Sequence, residues 1–231
     1  AVVKAVWETD RILAKASEAV DFLLAVTPVN GEQAWHSFRR KHFEKAPSFH
    51  YRPLPADPVV IKRELYKAPV ERIEDPALAL IFREKLKELE RQITMLQDRN
   101  SPRFLHGSLQ LYGPIPDDLN RLARRILREV SARSRDGGGA SLTAEQFASR
   151  ARQEIEALKV QWPELDAKVE VRRDLTGLMV SKGNLLVSAG SRIPASRVEA
   201  LIQHEVGTHV LTYYNGKAQR LRNLTSGLAG Y

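Results

Sequence analysis

Apolar residues recur at helical spacing through most of the first 135 positions of this 231-residue chain, then adopt the shorter period of strands in its last third. Thr9 or Asp10 opens a periodic segment that runs to about Val26 and is closed by Thr27-Pro28. Asn30 with Gln33 caps another that runs to about Lys45. From Pro47 to Pro58 the prolines are too frequent for a helix, and an extended surface connector is expected. Long amphipathic helices then fit Pro76 to Gln97 and Pro116 to Arg133. The stretch from Ser134 to Ser141, with Gly137, Gly138 and Gly139, is the candidate hinge.

Beyond the hinge, Thr143 and Gln146 cap a helix that ends near Trp162-Pro163. Lys168 to Arg172, Gly177 to Ser181 and Leu185 to Ser188 have strand composition, the last two joined by a turn at Lys182-Gly183-Asn184. Ser196 and Glu199 have capping-box spacing, and Asn215-Gly216 supplies a stop, which predicts one helix of about 18 residues between them. The expected fold is therefore α+β. A mainly helical part over 1–135 precedes a core over 141–231, in which a small antiparallel sheet lies beside that last helix.

Composition narrows the compartment and the chemistry. The chain has no Cys, so disulfides, thiol catalysis and thiolate metal sites are excluded. The longest apolar runs, such as Phe22 to Val26 and Leu78 to Phe82, are too short to span a bilayer, and no secretory h-region is present, so a soluble cytoplasmic protein is expected. A net charge of +8 and a pI near 9.8 favour anionic partners of any kind. The clearest basic stripe is Arg121, Arg124, Arg125 and Arg128, opposite Leu119, Leu122, Ile126 and Val130. No RNA-binding aromatic signature, zinc finger or Walker loop accompanies it, and the glycine triplet lacks a following Lys-Ser/Thr. Nucleic acid is not the expected partner.

The chemistry sits at the C-terminal end. His204-Glu205-Val206-Gly207-Thr208-His209 places two imidazoles and a carboxylate on the last predicted helix. Two neutral imidazoles can hold Zn2+, and a Glu beside the first ligand can take a proton from water. In H-E-x-x-H the histidines share one helix face, whereas five positions at about 100° each leave them about 140° apart. Only a local widening, a π turn around Gly207, returns both rings to one side. A catalytic zinc needs a third protein ligand. From Val210 to Tyr231 there is no Asp, Glu or His, Glu199 is engaged by its capping box, and Asp174 is only a candidate.

The stretch from Leu201 to Gln219, continuing to Gly227 and Tyr231, closely resembles a family of H-E-x-x-x-H metallopeptidases. Its bacterial members are labelled flavohaemoglobin expression-modulating proteins with a QEGLA motif, and its animal members are microtubule-associated tyrosine carboxypeptidases. Weaker matches are Pro47 to Leu54 and Gly107 to Gly113. The resemblance implies a zincin-like site in which His204 and His209 bind zinc and Glu205 is the catalytic base. It further implies that the third ligand is the QEGLA glutamate beyond Tyr231, so that the chain is C-terminally incomplete.

The expected function is zinc-dependent peptide hydrolysis of carboxypeptidase type on a peptide or protein C-terminus, with an acidic one favoured by charge. Lys182, Arg192, Lys217, Arg220 and Arg222 are candidate cations for the substrate carboxylate, and Tyr213 and Tyr214 are candidate donors to a developing oxyanion. Two rivals remain. One is a regulatory or binding protein with a degenerate or structural metal site, and the other is a basic nucleic-acid binder.

Overall fold

The computed structural model describes residues 2–130 and 139–228. The predicted hinge falls largely on 131–138 and the end of the family-like run on 229–231, both outside the described residues. The fold is α+β, mainly helical in its first half. Helices α1 (Val2–Val20), α2 (Phe22–Val26), α3 (Gly31–Arg40), α4 (Pro58–Leu65), α5 (Pro76–Gln97), α6 (Arg103–Tyr112) and α7 (Asp117–Glu129) precede β1 (Ser141–Thr143) and α8 (Ala144–Gln161). Strands β2 (Val169–Arg172), β3 (Leu178–Ser181), β4 (Asn184–Ser188) and β5 (Arg192–Pro194) follow. The chain then enters α9 (Val198–His204), a π segment (Glu205–Val210) and α10 (Leu211–Lys217).

Helix α5 occupies the span its periodicity predicts. Asp75 accepts from the Leu78 amide at its start, and Phe82, Leu89, Ile93 and Leu96 line its buried face. Helix α8 opens with the expected capping box of Thr143 and Gln146. The first helix is a correction, because Thr9 and Asp10 lie inside α1, both buried, instead of opening it. It ends at Asp21, whose left-handed φ of 40° lets its carboxylate accept from Ser181 Oγ at 2.6 Å. Asn30 does not cap α3 either, since its side chain bridges Ser48 and His50 of the connector.

The sheet also departs from expectation. β3 and β4 form the predicted hairpin, with Lys182 and Gly183 at φ 50° and 76°, the positive pair a two-residue type I′ turn requires. β2, however, pairs with β4 in parallel, giving a mixed sheet in the order β2-β4-β3. The chain from Arg173 to Gly183, which includes β3 itself, serves as the crossover that parallel pairing demands. β4 is central, and Leu185, Leu186 and Val187 are all buried, as expected of a strand covered on both faces. β1 and β5 make a separate antiparallel pair, absent from the sequence reading.

Two apolar cores form among the described residues. One joins α1, α4 and α5 around Leu13, Leu65 and Leu89, and the other joins α8, the sheet and the last helix around Phe147, Leu185 and Val206. Polar ties connect them. Arg52, on the proline-rich connector, reaches Asp174 in the β2–β3 loop, and Arg172 binds the same carboxylate. Among the described residues, no helix is long and apolar enough to cross a membrane.

Candidate metal centre

The histidine-bearing helix runs without a break from Val198 to Lys217, but not with one period. Between Glu205 and Val210 it is a π-helix, the widening that five-residue histidine spacing requires. Packing also demands it. Ile202, Val206, Val210 and Tyr214 are all buried at four-residue intervals, a series that drifts steadily around a regular α-helix. The wide turn offsets that drift and keeps the stripe on the core. Gly207 sits in the tight part of the turn, where an added Cβ would lie 2.7 Å from Gln203 Oε1. The Ser196–Glu199 capping box does not form. A 3-10 turn over Ala195–Arg197 starts the helix, and Glu199 accepts instead from Gln203 Nε2 at 3.0 Å.

His204 and His209 are exposed, with their Nε2 atoms 3.2 Å apart and their rings perpendicular. Two nitrogens on one tetrahedral zinc, each at about 2.05 Å, would be about 3.3 Å apart. The pair therefore fits two corners of one coordination sphere. Glu205, between them in sequence, is buried at 7 % exposure. Burial raises its pKa above the ordinary carboxylate value, and the nearby His209 and His204 oppose that rise. β3, an edge strand, and β4 both lie against the π segment.

No third His, Cys, Asp or Glu joins the pair among the described residues. Asp174 is not a spare ligand. Arg172 and Arg52 occupy its oxygens and hold its pKa down at about 2.

The remaining candidates are dispersed. Lys182 is exposed on the hairpin turn, and its neighbour Gly183 lies so close to Tyr213 that a Cβ would be 2.7 Å from the ring's Cε1. Arg192 is exposed on β5, opposite Thr143. The Arg222 side chain is exposed while its amide donates to Asp10. Tyr213 is half-buried, which raises its pKa. Tyr214 is buried edge-on against Trp162, with Lys217 Nζ 5.5 Å from its ring centre, and so belongs to the core.

Sequence reasoning missed three charged anchors, of which Asp10 and Lys85 are buried and Arg52 is half-buried. Asp10 accepts from the Arg222 and Asn223 amides, Lys85 pairs with Glu88 at 2.9 Å, and Arg52 holds Asp174. A signal for the first two was present. Asp10 shares its helix face with buried Val6, Leu13 and Ala14, and Lys85 with Phe82 and Leu89, so each charge stands where the helical period puts core.

Comparison with known proteins agrees with the family resemblance of the sequence. No curated protein and no solved structure is significantly similar to the chain. One family model matches residues 36–231, that of the microtubule-associated tyrosine carboxypeptidase, and the chain therefore belongs to that family.

Proposed function

We propose that this protein is a zinc-dependent peptidase that releases a residue from a protein C-terminus. The observation that carries the reading is the convergence of His204 and His209 Nε2 to 3.2 Å beside buried Glu205, on a helix that is widened between them. The two imidazoles would hold the zinc, with a third ligand from outside the described residues. Bound zinc would supply Lewis acidity and lower the pKa of water toward neutrality.

The protein's own residues do the rest. Glu205, its basicity raised by burial, accepts the proton of the attacking water and delivers it to the leaving amine. Edge strand β3 offers unpaired backbone groups next to the π segment, so an extended substrate adds to the sheet there. Lys182, at the end of that strand, is the best-placed of the predicted cations for a terminal carboxylate. The net charge of +8 and the family's name favour an acidic, tyrosine-ended tail as substrate.

The test compares release of the C-terminal residue from an acidic peptide by the wild-type protein and by Glu205→Gln. Loss of at least about a hundredfold is expected, from removal of the general base. Equal turnover would refute the assignment. Stoichiometric metal with no turnover on any C-terminus would instead favour a regulatory protein with a structural site.

A further inference from the structure

Residues just after the metal helix are held by two buried polar groups that catalysis does not use. Asp10, 2 % exposed in the middle of α1, accepts from the Arg222 amide at 2.8 Å and the Asn223 amide at 3.0 Å. Asn223 Nδ2 donates to both Asp10 Oδ1 and the Asp10 carbonyl, each at 2.8 Å. Lys85, 4 % exposed on α5, donates to Ser226 Oγ at 3.1 Å and the Gly227 carbonyl at 3.0 Å while paired with Glu88. Between these anchors lies a 3-10 turn, Arg222–Thr225, whose Leu224 backbone rests directly on Gly216 of α10.

The connection continues into the site. α10 extends the π segment without a break, so its axis sets the azimuth of His209. On one side this helix leans on the sheet through Tyr213, Tyr214 and the Gly183 turn. On another it meets a turn that cannot drift, because a buried carboxylate and a buried ammonium fix both ends of it. Charged groups this deeply buried are costly unless fully paired. Here their free valences are spent on backbone amides and a carbonyl, the groups that define the path of a chain.

We propose that Asp10, assisted by Lys85, is a positioning residue for the metal centre. It acts through the Arg222–Thr225 turn and Gly216 to hold the helix that carries His209. This rests on the zinc reading above and assigns it a support from the opposite end of the chain. Outer residues that orient metal ligands typically change metal affinity by about 10–100-fold when removed.

The experiment uses the full-length protein. Zinc affinity is measured by competition with a chromophoric chelator, and coordination geometry by the visible spectrum of the Co2+ form. Asp10→Ala is expected to weaken metal binding by about 10–100-fold and to shift the Co2+ bands. Asp10→Asn keeps one acceptor oxygen but turns an amide hydrogen toward Arg222, and is expected to fall in between. Lys85→Met should act in the same direction, and it decides the matter with Asp10→Asn if Asp10→Ala does not fold. Ile93→Ala, in the N-terminal core away from the turn, serves as the control for lost stability.

Unchanged affinity and spectrum in the Asp10 and Lys85 variants of a metal-binding protein would overturn the proposal. So would an equal loss of affinity in Ile93→Ala at matched melting temperature. A wild-type protein that takes up no metal would overturn the zinc reading itself, and this inference with it.

Discussion

Replacing Gly216 by Ala separates two readings of the residue. As a left-handed helix stop it would lose about 1 kcal/mol on changing to Ala, whereas within a helix the change by itself favours folding by about 1 kcal/mol. In the structure the helix continues through it to Lys217, and an added Cβ would overlap the Leu224 carbonyl and lie 2.5 Å from the Thr225 amide nitrogen. Those neighbours are backbone, so the 3-10 turn must move away. Moving it breaks the Arg222 and Asn223 hydrogen bonds to a buried carboxylate, each contributing about 1.5–3 kcal/mol. Two bonds at about 2 kcal/mol, less the helical gain, leave Gly216→Ala about 3 kcal/mol less stable. For a chain of this size that lowers the melting temperature by about 10 °C. Urea denaturation gives the free energy, and amide exchange at Arg222 and Asn223 should accelerate in parallel. An Ala variant as stable as wild type, with both amides still protected, would refute the reasoning.

Removing Gly207 takes out the residue that the wide turn absorbs, so the helix closes to a regular α period with the two histidines four positions apart and still on one face. Ile202, Val206, Val210 and Tyr214 would then be spaced four, three and four positions apart and stay on the core, and a change of about 1 kcal/mol or less in urea unfolding is expected. A loss of several kcal/mol would mean that the residues beyond the turn had rotated out of register and that the wide turn does not absorb Gly207. Asp174→Asn tests the tie between the two halves by pH. The wild-type carboxylate is held at about 2, first by Arg172 and also by Arg52, so its contribution is present above the unfolded value near 3.8 and disappears as pH falls through about 2. With that side chain 40 % exposed, the contribution is about 1 kcal/mol after solvent screening. The gap between wild type and variant should be constant from pH 7 to about 5 and close toward pH 2, and a gap that widened in acid would refute it. Gly183→Ala should destabilise the β3–β4 hairpin, because φ is 76° and the new Cβ would meet Tyr213, and a neutral result in thermal melts would contradict that contact.

Local signals were legible and distant ones were not. Pro76–Gln97 announces itself through Asp75, Pro76 and an apolar stripe, and β3–β4 through a Lys-Gly turn, because everything needed lies within a few residues. Helix α4 escaped notice because Pro58 looked like the end of a connector. With Asp57 accepting from the Val59 amide, it is instead the first residue of a helix. Helix α6 was hidden by Gly107, which is there so that Met95 of α5 can approach. Parallel pairing of β2 leaves no local trace at all. The two histidines and the glutamate were readable because one helix carries them, and even the π turn followed from their spacing. Asp10 was not, since its partners lie more than 200 positions away.

That separation also constrains how the protein is made. Joining Asp10 to Arg222 closes a loop of 212 residues, with an entropic cost of about 5 kcal/mol that must be met before the contact returns anything. At about 5–20 residues per second, ribosomal synthesis brings out α1 some 10–40 s before its partner turn. Through that interval Asp10 lies on an otherwise apolar helix face without the backbone groups that satisfy it. Docking of the Arg222–Thr225 turn is thus an assembly checkpoint, and a nascent chain stalled before Arg222 is a natural client for chaperones.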